Sequence, residues 1–182
     1  MSTATLPPGS ARVSTPDEPY ASTSVLAVAN LFIRIGLEEP HTDACDMTHM
    51  RLQKLCYRAY GHHLQAFGEP LCEERPEIWP RGPGFLGLYL ALQYGGRKPI
   101  RGLITTPYGT PTITADSRHA HFLRAVDRHY RLTSTLALSD LSHAQGSAWQ
   151  RAAALYDYRC PIGAAVPDSL IRTEFAATGL SR

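Results

Sequence analysis

The chain has 182 residues, which fits one domain with a buried core, and 43% of the residues are hydrophobic. Its 18 basic and 16 acidic residues give a formal net charge of +2, too small for a general nucleic-acid or membrane binder. The four cysteines lack metal-knuckle spacing and are typical of free thiols in a reducing compartment. No apolar run reaches the roughly 20 residues that cross a bilayer. We therefore expect a cytoplasmic protein without a membrane partner.

The first 36 residues combine an unstructured segment with a helix. Residues 1–21 are rich in Ser, Thr and Pro and show no apolar periodicity, which predicts a disordered tail. Apolar residues then recur at helical spacing from Val25 to Ile33, and Gly36 is expected to end this helix. The predicted domain spans residues 22–182.

A long amphipathic helix is predicted for MRLQKLCYRAYGHHLQAFGEPL, residues 50–71. Thr48 is a good N-cap, and the helix is expected to run through Gly61 to about Phe67, before the turn at Gly68. The apolar stripe that faces a core comprises Leu52, Leu55, Cys56 and Ala59. The basic side chains on other faces, mostly toward solvent, are Arg51, Lys54 and Arg58.

The middle of the chain alternates between helix-breaking and apolar segments. Prolines at 76, 80 and 83 exclude a helix before residue 84, whereas FLGLYLALQY, residues 85–94, predicts a buried helix. Residues 97–115 contain β-branched residues around Pro-Tyr-Gly-Thr-Pro, which predicts a loop or a short hairpin. Further helices are predicted from 116 or 117 to about 130, at 135–143, at 148–156 and at 168–177.

The predicted fold is therefore mainly α. We expect a compact single helical domain of about six helices with a minor β-hairpin or extended segments, preceded by the tail.

The sequence lacks the motifs of several catalytic and cofactor sites. No Gly-x-x-x-x-Gly-Lys loop, strand-preceded Gly-x-Gly-x-x-Gly or Gly-x-Ser-x-Gly elbow occurs. The adjacent His62 and His63 diverge on a helix, as do His119 and His121, although the second pair would share a face on a strand. We therefore expect neither a metal site nor a cofactor.

Two groups of side chains are candidates for nucleophilic catalysis. Cys56 could pair with one of the two adjacent histidines, but a thiol buried on the apolar stripe has a raised pKa and is inert. Ser139, Asp140 and His143 lie in one short segment, whereas catalytic triads converge from separate segments. We therefore expect a protein that is not an enzyme.

The most concentrated basic feature is RHAHFLRAVDRHYR, residues 118–131. Arg124, Arg128 and Arg131 recur at i, i+4 and i+7 and form a cationic ridge, interrupted by Asp127. The ridge is either an ordinary solvated face or a contact for nucleic-acid phosphates or an acidic protein partner.

Five blocks, taken in order, carry a resemblance to a known family. They are MRLQKLCYRAYGHHLQAFGEPL, IWPRGPGFLGLY, LQYGGRKPI, LSDLSHAQGSAWQRA and IGAAVPDSLIRTEF. The series resembles the Panacea-domain proteins, the SocA-like antitoxins of bacterial and phage toxin–antitoxin systems. The resemblance covers about residues 26–175.

The matching positions are spread over four motifs. They are Leu52, Gln53, Lys54, Leu55, Tyr57, Gly68, Pro70, Leu71, Trp79, Gly82, Pro83, Tyr89, Leu141, His143 and Trp149. The chain departs from the family pattern in three places: Pro80-Arg81 replaces a polar-aromatic pair, Ala148 replaces the proline before Trp149, and Ser142 replaces threonine.

The resemblance implies a helical, non-enzymatic domain that binds and neutralises a cognate protein toxin encoded by a neighbouring gene. In SocA-like members the antitoxin also delivers its toxin to a protease, which makes a bacterial protease a second implied partner. The implied protein-binding residues are Gln53, Lys54, Tyr57, Trp79, Arg81, Gly82, Pro83, Tyr89, His143 and Trp149.

Alternatives remain at the level of residues and of function. Trp79 and Trp149 are either core or interface aromatics, and Lys54 could pair with a carboxylate such as Glu69 or Glu77. The chain could instead be a nucleic-acid-binding regulator that uses the arginine ridge, or a phage effector that binds a host protein.

Overall fold

The protein is described from a computed structural model over residues 23–39, 46–176, 178 and 180. Within these ranges it is mainly helical, with one two-stranded antiparallel sheet, as the sequence predicts. The predicted tail, residues 1–21, lies outside the described residues. The elements are α1 (Val25–Glu38), α2 (His49–Phe67), β1 (Glu77–Trp79), β2 (Gly82–Gly84), α3 (Leu86–Leu92), α4 (Arg118–Tyr130), α5 (Thr135–His143), α6 (Ala148–Ala154) and α7 (Asp168–Ala176).

Helix α2 forms the centre of the domain. It contacts α1, α3, α4, α5, α7 and β2, and each of residues 51–64 is buried. The Thr48 side chain accepts a hydrogen bond from the Arg51 N–H at its start, and Gly68 adopts a left-handed conformation at its end, with φ of 75°. Because neighbours cover it on all sides, the polar residues of α2 need partners within the protein.

The prediction that the basic residues of α2 face mostly toward solvent is wrong. Arg51, Lys54 and Arg58 are 0%, 3% and 3% exposed. Arg51 donates to the carbonyl oxygens of Tyr130, at 3.1 Å, and Thr133, at 2.6 Å, where α4 ends. This contact places a cation at the negative end of the α4 dipole, where the last carbonyl groups lack partners within the helix.

Glu174 on α7 joins three helices. Its carboxylate accepts from the Tyr57 hydroxyl at 2.9 Å, from Arg58 Nη1 at 3.1 Å and from the Ala148 N–H at 2.8 Å. Since Arg58 is buried, this ion pair removes what would otherwise be an unpaired charge in the core. The pair therefore fixes α7 and the start of α6 against α2.

The serine-capped helices have nearly the predicted bounds. Ser117, Ser134 and Ser147 each accept a hydrogen bond from the backbone N–H three residues later, at the starts of α4, α5 and α6. The helix predicted at 135–143 spans those residues, and the helix predicted at 148–156 ends slightly earlier, at Ala154.

Helix α1 is longer than predicted. It continues past Gly36 to Glu38, because glycine is tolerated inside a helix. Of the two alternatives predicted for residues 97–115, a loop or a short hairpin, the structure has a loop with one isolated bridge between Thr106 and Gly109. The two-stranded sheet lies at residues 77–84, where Trp79 pairs with Gly82.

Helix α3 is more exposed than predicted. Of its seven residues only Leu88 is buried, and Leu86, Tyr89 and Leu90 present large apolar side chains to solvent. The described part of the chain contains no helix that is both long and apolar enough to cross a membrane.

Candidate functional site

The hairpin β1–β2 is fastened to α2 by two polar side chains. The Gln53 amide donates to the Phe85 carbonyl at 3.0 Å and accepts from the Phe85 N–H at 2.8 Å. Lys54 Nζ donates to the carbonyls of Arg81, at 2.7 Å, and Pro83, at 3.3 Å. One edge of the hairpin is thus completed by helix side chains instead of a third strand.

Gly82 permits this close approach. Its φ is +88°, and a Cβ there would lie 2.6 Å from Lys54 Nζ and 2.9 Å from His143 Cε1. His143 is held by the Ser139 carbonyl through Nδ1 at 2.8 Å, and its ring packs edge-on against Trp149 at 4.6 Å between centroids. The position therefore requires glycine for both its conformation and its lack of a side chain.

Trp149 also supports the hairpin. Its indole N–H donates to the Trp79 carbonyl at 2.8 Å, and its side chain is mostly buried. The Trp79 indole N–H in turn donates to the Glu77 carboxylate at 2.9 Å, which fixes the orientation of the ring. The Trp79 ring stands edge-on to Tyr89 of α3, with centroids 5.7 Å apart.

A groove of about 660 Å³ lies between the start of α2, the hairpin and the segment after α3. Seven residues of the implied protein-binding set line it, namely Gln53, Lys54, Trp79, Arg81, Gly82, Pro83 and Tyr89. Sequence reasoning missed the other lining residues, which are Thr48, His49, Met50, Gly84, Gly96, Arg97 and Thr135. None of those positions is among the matching motif positions, and they come together only through the fold.

The amine of Lys54 is the most perturbed charge in the groove. Burial, together with the nearby positive charge of Arg58, lowers the pKa of Lys54 to about 7. The expected pairing with Glu69 or Glu77 is not what the geometry gives, since Nζ bonds to backbone carbonyls. A near-neutral amine with two carbonyl partners holds the hairpin in place and faces a space that a ligand can enter.

The remaining implied residues divide by burial. Tyr57 is fully buried and bonds to Glu174, so its side chain acts inside the core. Trp149 is buried, and His143 is half-buried against it. Trp79 is half-buried, and Arg81 and Tyr89 are exposed. The last three side chains line the groove and are the ones available to a partner.

The predicted candidates for catalysis and metal binding have structural partners. His62 shares a hydrogen bond of 2.8 Å with the Tyr130 hydroxyl, and His63 Nδ1 lies 2.9 Å from the Glu69 carbonyl. Burial raises the pKa of the Cys56 thiol well above its ordinary value. Among the described residues, no three His, Cys, Asp or Glu side chains converge as metal ligands would.

The three arginines of the predicted ridge differ in their exposure and in their ion pairs. Arg131 bonds to Asp127 at 3.0 Å and also to Glu39, so acidic neighbours compensate its charge. Arg128 is exposed and Arg124 is half-buried. The ridge therefore presents fewer free positive charges than its sequence spacing suggests.

Comparison with protein-family models, with curated proteins and with solved structures found no match to this chain.

Proposed function

We propose that the chain is an antitoxin-like domain that binds and neutralises a cognate protein toxin encoded by a neighbouring gene. The observation that carries the proposal is the convergence of the motif residues. Matched positions from two separate sequence blocks, Lys54 from the first and Trp79 and Tyr89 from the second, line one groove. Lys54 also fastens the hairpin, but Trp79 and Tyr89 present part of their rings to this surface, where a partner can reach them.

The exposed face of α3 supplies the apolar contact area for such a partner. Leu86, Tyr89 and Leu90 recur at i, i+3 and i+4, the spacing of one helix face, and are 44%, 43% and 53% exposed. Exposed apolar faces beside a polar rim are typical of protein–protein contacts. In this proposal, α3 and the rim residues Trp79 and Arg81 contact the toxin. Delivery of the toxin to a protease is a narrower form of the same proposal.

Co-expression with the neighbouring gene tests the proposal. The neighbour should be toxic alone, tolerated with this chain, and co-purified with it. Leu90→Asp should abolish both protection and co-purification, since it places a charge in the centre of the apolar face. Leu155→Asp is the matched control, because Leu155 is 73% exposed and lies outside this face, after α6. The proposal fails if no neighbour is toxic, if none binds, or if both variants protect equally.

A further inference from the structure

The groove between the start of α2, the hairpin and the segment after α3 also has the properties of a small-molecule site. Its volume of about 660 Å³ falls within the range of about 300–1,000 Å³ that is usual for ligand pockets. Its wall is mostly apolar, with a small number of polar groups that face a common space, which is the usual composition of such sites.

The permanent charges that line the groove are positive. Arg81 and Arg97 lie in its wall, no Asp or Glu is among the described residues of that wall, and the Glu77 carboxylate beside it is bonded to the Trp79 indole N–H. The guanidinium groups of Arg81 and Arg97 are always charged, and both side chains are exposed, so they can turn toward a bound group. Arginine recognises planar carboxylate and phosphate groups through paired N–H donors. This side of the groove therefore favours an anion.

An aromatic wall accompanies these charges. The Trp79 and Tyr89 rings are edge-on to each other, and the His49 ring lies 5.6 Å from the Tyr89 ring, tilted by 36°. Tyr89 is 43% exposed, so part of its ring remains open to a ligand. Because the indole N–H of Trp79 is bonded to Glu77, the ring is held ready to receive a flat group.

The backbone beside the groove cannot accept an added peptide strand. The Arg81 and Pro83 carbonyls are bonded to Lys54, both backbone groups of Phe85 are bonded to Gln53, and proline has no N–H. Strand addition needs free backbone donors and acceptors along a sheet edge. An occupant must therefore be held by side chains, which suits a compact ligand better than an extended peptide.

We propose that this groove binds a small anion with a flat ring, of the nucleotide class, with its ring against Trp79 and Tyr89 and its phosphates between Arg81 and Arg97. The site does not depend on the toxin proposal, since ligand binding is a property of the chain alone. A nucleotide in the groove would cover Trp79, Arg81 and Tyr89, which are also proposed to contact the toxin, so its presence would alter that surface.

Isothermal titration calorimetry of the full chain with ATP, ADP, GTP and GDP tests this site. At least one nucleotide should bind with Kd below about 100 µM. The corresponding nucleoside and inorganic triphosphate, which carry only the ring or only the charge, should each bind at least about tenfold more weakly. The inference is overturned if no nucleotide binds at about 2 mM, or if triphosphate alone binds equally well.

Charge reversal locates the site. Arg81→Glu and Arg97→Glu should each weaken nucleotide binding by at least about tenfold, and Arg128→Glu on α4 is the matched control, expected to stay within about twofold. All three arginines are exposed, so the variants should fold, as circular dichroism would verify. Equal affinity in all three variants places the nucleotide elsewhere and overturns the inference, whether or not the neighbouring gene encodes a toxin.

Discussion

Replacement of Gly61 by alanine tests how closely α2 and α7 are packed. A glycine inside a helix costs about 0.5–1 kcal/mol relative to alanine, so helix propensity alone favours the substitution. In α2, however, a Cβ at this position would overlap the edge of the Phe175 ring. That ring is fully buried and is surrounded by the rings of Tyr57 and His62 and by the Arg58 guanidinium, so it has no space into which to move.

We expect Gly61→Ala to lower the free energy of unfolding by about 2 kcal/mol. Overpacking of this severity costs about 3 kcal/mol, at the upper end of the usual range, and the gain in helix propensity returns about 1 kcal/mol. Urea unfolding followed by far-UV circular dichroism measures the difference. The matched control is Gly36→Ala in α1, where a Cβ would meet only Met47, at 3.4 Å from Cε, and should stabilise by about 0.5–1 kcal/mol.

A second substitution tests whether the loss of stability comes from overlap between the added Cβ and the Phe175 ring or from a general destabilisation of α2. Phe175→Leu removes ring atoms, so the double variant should lose less stability than the sum of the two single variants. A Gly61→Ala protein at least as stable as the parent would refute the close packing of the two helices.

Three other predictions concern the contacts of α2. Glu174→Gln removes the charge that pairs with buried Arg58 and should lower the free energy of unfolding by roughly 3 kcal/mol in urea titration, whereas a loss below about 0.5 kcal/mol would indicate a solvated pair. Gln53→Ala leaves the Phe85 N–H unpaired, whereas the Phe85 carbonyl still accepts from the Tyr89 N–H at 3.0 Å. The substitution should cost about 2 kcal/mol and speed hydrogen exchange of the Phe85 amide, and unchanged exchange would contradict the contact. Burial, with the nearby Arg58 charge, lowers the pKa of His62 to about 4, so the unfolded state binds the additional proton first on acidification. The folding stability that depends on neutral His62 is fully present above about pH 6.5 and is lost as the pH falls toward 4, by up to about 3 kcal/mol. His62→Leu should therefore make the free energy of unfolding fall less steeply with decreasing pH.

The helices were largely predictable because their signals are local. The serine before α5 and the glycine after α2 determine the ends of those helices within a few residues, and the bounds 135–143 were recovered from the sequence. The position of the hairpin was not recovered from the sequence. The Pro-Arg-Gly turn at 80–82 depends on the Gly82 conformation and on contacts with α2 that sequence spacing does not reveal.

The orientation of charged residues depended on distant partners. Arg58 pairs with a carboxylate 116 residues later in the chain, and Lys54 bonds to backbone carbonyls whose direction is set by the hairpin. A helical wheel treats such residues as solvent-facing because it contains no information about neighbours. For the same reason the sequence indicated Trp79 as a binding residue, through its motif, whereas Arg97 lies in the block LQYGGRKPI but is not one of its matching positions.

The enclosure of α2 affects how the protein is synthesised. A ribosome delivers Tyr57 and Arg58 well before Glu174, which lies 117 and 116 residues further along. Until α7 emerges, the nascent chain exposes a helix with charged and aromatic groups that have no partners, and such a chain is a substrate for chaperones and for proteases. The contacts that enclose α2 can therefore be completed only after α7 has been synthesised.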